Sequence, residues 1–158
     1  MARVRFASIP TEQARLYQTS GLDAHGRKPE RHVSDGSGVP CRHCLRDVAA
    51  GEHYLILAYC PFTELQPYAE VGPIFLHAAP CDAYQDVGTV PAIYLRGESR
   101  IIRGYDRNNR IIYGTGKVVE PYNIAEYAAK LLDDPDVTYV HVRSSTNNCF
   151  ACRIDREN

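Results

Sequence analysis

Residues 123–156 read NIAEYAAKLLDDPDVTYVHVRSSTNNCFACRIDR, and the hydrophobic period changes once within that run. Ile124, Tyr127, Ala128, Leu131 and Leu132 recur at helical spacing, with Asn123 placed to cap the first turn, Glu126 three residues on, and Pro135 as the stop. Beyond Pro135 the period shortens. Val137 to Arg143 and Phe150 to Arg156 are rich in β-branched and aromatic residues, and Ser145-Thr146-Asn147-Asn148 between them is turn chemistry. A helix over about 123–133 followed by an antiparallel strand pair implies α+β rather than a parallel α/β repeat.

Outward from this run, further strand candidates are Tyr54–Tyr59, a continuous apolar run expected to be buried on both faces, and Gly72–His77. Ala92–Arg96, Arg100–Tyr105 and Arg110–Gly114 read as a meander, and a last strand ends near Val119. A short N-terminal helix is expected after Pro10, with Thr11 as its N-cap and Gly21 as its stop. Residues 22–40, rich in Gly, Pro, Asp and Ser, are expected to form an extended loop. The fold expected is therefore a single α+β domain over residues 1–158 with a mainly antiparallel sheet.

The 158 residues are 44% hydrophobic and 23% charged, with 18 Lys+Arg against 19 Asp+Glu, which is the composition of an ordinary soluble domain. No stretch matches a membrane span, and the opening MARVRFASIP lacks the basic-then-apolar pattern of a secretion signal, so a cytoplasmic location without membrane partners is expected. Near-neutral charge disfavours nucleic acid as a partner. The basic residues are nonetheless mostly Arg, and residues 91–119 are locally positive, which favours a small anionic molecule as ligand. The chain contains no GxSxG, HExxH or GxGxxG motif, and Gly114-Thr115-Gly116-Lys117 lacks the spacing of a phosphate loop.

Six cysteines in such a chain are thiols, metal ligands or nucleophiles before they are disulfides. Cys41-Arg42-His43-Cys44 and Cys149-Phe150-Ala151-Cys152 are two CxxC pairs, although the second enters a strand, where residues three apart point to opposite faces. A turn closing symmetrically between Ser145 and Asn148 sets Arg143 opposite Phe150 and His141 opposite Cys152, sharing one face. Cys149, at the turn-to-strand junction, is the nucleophile candidate, with His141 as its basic partner. Arg103 and Tyr105 point the same way along one strand and, with Arg143, form a candidate anion clamp. His77 lies four residues before Cys81, and either residue can serve as ligand or partner.

The blocks Pro40–Leu45, Gly72–Phe75 with Cys81, Arg103-Gly104-Tyr105, and His141-Val142-Arg143 with Cys149-Phe150 resemble a bacterial family of small cytosolic proteins catalogued as domain of unknown function 1203. That resemblance implies no established reaction. It favours Cys41, Cys44, Cys81 and Cys149 over Cys60 and Cys152 as the characteristic cysteines.

Two functional readings follow. In the first, the protein is an anionic-ligand binder or enzyme-like domain whose site is lined by Cys149, His141, Arg143, Arg103, Tyr105 and His77. In the second, it is a non-catalytic binding module with a structural zinc. Cys41 and Cys44 are then two ligands, and Cys81, Cys149, Cys152, His77 and His141 are the pool for the others, Cys81 first among them.

Overall fold

A computed structural model describes residues 1–158 and shows an α+β protein. The chain packs as two compact units. Unit 1 comprises Met1–Ala7, Leu65–Ala69 and Gln85–Asn158, and unit 2 comprises Ser8–Glu64 and Glu70–Tyr84. No helix is long and apolar enough to cross a membrane.

Unit 1 is built on a five-stranded antiparallel sheet. Its strands are β1 (Val4–Ala7), β5 (Arg100–Tyr105), β6 (Lys117–Val119), β7 (Tyr139–Ser144) and β8 (Phe150–Arg156), in the order β1-β8-β7-β5-β6. The helix expected over 123–133 is α3 (Ile124–Leu132), entered through a 3-10 turn at Pro121–Asn123. Asn123 makes no side-chain cap. It lies in the right-handed helical region, so the 3-10 turn takes the place of a capping side chain. Helix α3 covers β5, β7 and β8, and its Ile124, Ala128 and Leu132 are fully buried, as are Ile102, Val140, Val142 and Ile154 of the sheet.

Two details correct the expected strand map. Ala92–Leu95 is a short helix, α2, because Pro91 at its start sets the backbone for a helical turn. Arg110–Gly114 is not a strand; a single bridge joins Ile111 to Tyr105, and Asp106 folds the segment by accepting the backbone N–H of Asn108 and Arg110. The close return is possible because position 104 is glycine. A Cβ there would stand 3.2 Å from both Thr115 Oγ1 and Val137 Cγ1.

The β7–β8 register is symmetric only at the turn. Arg143 faces Phe150 as expected, but Val142 then faces Cys152 and His141 faces Arg153, because Ala151 is an extra residue in β8. This bulge puts Cys152 on the α3 side, opposite to His141, and removes the expected His141–Cys152 pairing.

Unit 2 carries α1 (Thr11–Thr19) and a three-stranded antiparallel sheet, β2 (Glu30–Val33), β3 (His53–Tyr59) and β4 (Gly72–His77), in the order β2-β3-β4. Strand β2 lies within the segment expected to be a loop; all four of its side chains are exposed, so no hydrophobic period marks it. Strand β3 is buried on one face only: Leu55, Leu57 and Tyr59 are buried and the alternate residues are not.

Leu132→Ala should remove about 2–5 kcal/mol of unfolding free energy in denaturant titration, because Leu132 is fully enclosed, whereas Leu65→Ala, at 94% exposed, should stay within about 0.5 kcal/mol of the parent.

Candidate metal centre

The first CxxC forms the tip of a narrow loop in unit 2. Val48 N–H donates to the Val39 carbonyl, Pro40 bridges Asp47, and Cys41 N–H donates to the Arg46 carbonyl. These rungs leave Arg42-His43-Cys44-Leu45 as the turn. Leu45 adopts φ 54°, which lets the chain reverse while its N–H returns to the Cys41 carbonyl at 3.0 Å. The loop is fastened to β4, since Arg42 N–H donates to Phe75 O at 3.0 Å. Cys41 and Cys44 therefore converge from one turn beside the end of β4, where His77 is the last residue and Cys81 follows four positions later.

The four side chains meet. Their ligand atoms all lie within 4.8 Å of one another, with Cys41 Sγ 3.8 Å from Cys81 Sγ and Cys44 Sγ 3.5 Å from His77 Nδ1. The other ring nitrogen of His77, Nε2, stands 3.5 Å from Glu52 Oε2, which holds the ring with Nδ1 turned to the sulfurs. Glu52 is itself positioned by the Ala49 N–H at 3.2 Å. His43 supports the cluster from behind, its Nδ1 3.2 Å from Cys81 Sγ and its Nε2 2.8 Å from the Thr11 hydroxyl. The backbone around Cys81 and His77 is anchored by α1: Arg15 Nη2 donates to the Cys81 carbonyl at 2.8 Å, and Gln18 Nε2 donates to the His77 carbonyl at 2.9 Å.

Thiols this close share protons unequally. Hydrogen bonds from the Cys44 and Cys81 thiols, then the backbone N–H of Cys44 and His77, overcome burial and hold Cys41 far below the usual thiol range. Cys81 is pushed up, first by its hydrogen bonds to Cys41 and Cys44 and then by burial. Burial, followed by the charge of Arg15, lowers His43 and keeps its imidazole neutral. The group thus has one favoured thiolate and protons that a cation would displace.

A family model matches residues 38–156, a span that opens just before the CxxC loop and contains all four clustered residues. The chain belongs to DUF1203. The family is described as proteins of unknown function, so membership assigns no reaction. No curated protein and no solved structure matches the chain.

In this DUF1203 protein the remaining expected site residues lie in unit 1. Arg103, Tyr105, His141 and Arg143 do share one face of the five-stranded sheet, where Arg103 is paired with His141 and Tyr105 with Tyr139. The His141 ring stands 4.6 Å from Tyr105, 5.1 Å from Tyr139 and 4.9 Å from Phe150, and Arg153 stacks over Tyr139 at 3.9 Å. Cys149 is half-buried at the turn and donates to the Asn147 carbonyl at 3.7 Å; no hydrogen bond joins it to His141 or Arg143. Arg143 is held by the turn itself, donating to the Asn148 carbonyl at 3.1 Å. No sequence signal ties Thr11, Glu52 and Arg15 to the cysteine cluster, because they reach it only through tertiary contacts, and none shows that His43, inside the CxxC, turns to Cys81.

Burial, then the charges of Arg143, Arg153 and Arg103, hold His141 well below its ordinary value of 6.5. The unfolded chain binds a proton at this residue as pH falls through about 6.5, while the folded protein does not, so the stabilisation is present above that pH and lost below it. Between pH 6.5 and 5, unfolding free energy should drop by up to about 1.4 kcal/mol per pH unit from this residue, and His141→Phe should flatten that share of the slope in denaturant titrations at the two pH values.

Proposed function

We propose that unit 2 is a zinc-binding module in which Cys41, Cys44, His77 and Cys81 hold one structural Zn²⁺. The observation that carries this reading is the gathering of four donors within 4.8 Å of one another, two of their separations at tetrahedral zinc values. A tetrahedral zinc with Zn–S of about 2.3 Å and Zn–N of about 2.0–2.1 Å requires sulfur–sulfur edges of about 3.8 Å and sulfur–nitrogen edges of about 3.5 Å. The Cys41–Cys81 and Cys44–His77 separations are 3.8 Å and 3.5 Å. Three thiolates and an imidazole are a donor set suited to zinc and ill suited to magnesium or calcium, which take oxygen. Glu52 behind His77 supplies the outer carboxylate that fixes the tautomer of a zinc-bound histidine. Four protein donors close the coordination sphere, which supports a structural rather than a hydrolytic role.

Under this reading the metal clips a turn, the end of β4 and the segment after it into one body. The second reading, a small anionic ligand at Arg103, Tyr105 and Arg143, draws support from the side of the sheet that these arginines share with His141, which burial and then the charges of Arg143, Arg153 and Arg103 hold below its ordinary value.

Protein purified without added metal should contain close to one zinc per chain by elemental analysis. Cys41→Ser and Cys44→Ser should abolish it and sharply lower the melting temperature, since structural zinc contributes on the order of 10 kcal/mol to small metal domains. Glu52→Gln should weaken zinc by about 10–100-fold in chelator competition, and Cys60→Ser should leave it unchanged. A zinc-free chain that melts like the parent would refute the module.

A further inference from the structure

The four donors are not equally placed. Cys41 and Cys44 are buried at 0% and 4% exposure, whereas Cys81 is only part-buried and stands in the wall of an open cleft of about 650 Å³. The cleft belongs wholly to unit 2, and His77, Arg15, Glu52 and Asp82 also line it. Cys81 is the one cysteine of the cluster that a dissolved reagent meets from this cleft. Directly behind it, at 3.8 Å, is the sulfur of Cys41, and at 3.2 Å the Nδ1 of His43.

We propose that Cys81 is a modification site, the sulfur at which a hydroperoxide entering the cleft oxidises the metal centre and releases the zinc. This rests on the zinc reading above. In the first step the Cys81 thiolate attacks the terminal oxygen of ROOH. The O–O bond breaks, an S–O bond forms, and RO⁻ leaves and takes a proton from solvent as ROH. In the second step the Cys41 thiolate attacks the Cys81 sulfur, the S–S bond forms, and hydroxide departs and is protonated to water. Two thiolates together lose two electrons, and the peroxide gains them. The sum is two thiolates, ROOH and two protons giving one disulfide, ROH and water. Cys41 is the partner placed for the second step because its sulfur already lies against that of Cys81, and the loop after β4 that carries Cys81 has no strand pairing of its own to break. The disulfide removes two of the four donors. Cys44 and His77 alone are too few to retain zinc, so oxidation and metal loss are one event.

The test uses the full chain carrying zinc. Hydrogen peroxide is added in the presence of a chromogenic zinc chelator, and the protein is then alkylated and its thiols mapped by mass spectrometry. The expected result is release of one zinc per chain together with a Cys41–Cys81 disulfide, both reversed by dithiothreitol and added zinc. Before peroxide, brief treatment with iodoacetamide should label Cys81 at least tenfold faster than Cys41 or Cys44. Cys60 and Cys149, which are also part-buried, report general thiol oxidation in the same sample. Zinc that stays bound while Cys60 and Cys149 oxidise would overturn the proposal and leave the zinc module standing. A disulfide between Cys41 and Cys44 with Cys81 still free would overturn it likewise. Protein without zinc at the outset would instead refute the module, and the thiol map would still decide which pair closes.

Discussion

Three thiols and an imidazole gathered within 4.8 Å call for a positive charge. Two thiolates about 4 Å apart repel by about 4 kcal/mol at an effective dielectric of 20, which is enough to keep the second one protonated in the absence of a cation. The polypeptide nonetheless spends conformational freedom to assemble the group. Leu45 is held at positive φ, the Val39–Val48 rungs close the loop, and α1 reaches across with Arg15 and Gln18 to fix the backbone of Cys81 and His77. In the proposed zinc module, a divalent metal would turn that repulsion into cohesion within unit 2. Its sheet has three strands, one of them exposed along its whole length.

The surroundings of the cluster are as specific as its donors. Glu52 holds the far nitrogen of His77, and His43, kept neutral by burial and by Arg15, places a ring nitrogen beside Cys81 while Thr11 engages its other side. The two buried histidines of the chain thus differ in kind. His43 serves the sulfur cluster, whereas His141 packs among Tyr105, Tyr139 and Phe150 under the field of three arginines.

The fold class was legible wherever one hydrophobic period ran unbroken. Helix α3 and strands β4, β5, β7 and β8 follow the pattern of their residues, and the CxxC at Cys41 and Cys44 is readable because both thiols sit on one turn. What escaped was decided by single residues or by distance. Ala151, one extra residue, turns Cys152 away from His141; Pro91 starts a helix where Ile93 and Tyr94 suit a strand; and β2 has no apolar face to betray it. His77 and Cys81 are recognisable as a pair of interest from their spacing, but only the pairing of Cys41 with Phe75 shows that the CxxC loop lies against the same end of β4.

In the proposed zinc module, sulfur and one imidazole, not oxygen, surround the metal in unit 2. X-ray absorption at the zinc edge of the purified protein measures this without perturbing the site. The expected shell is three sulfurs at about 2.3 Å and one nitrogen at about 2.0–2.1 Å. A shell made only of nitrogen and oxygen, or one with fewer than three sulfurs, would contradict it.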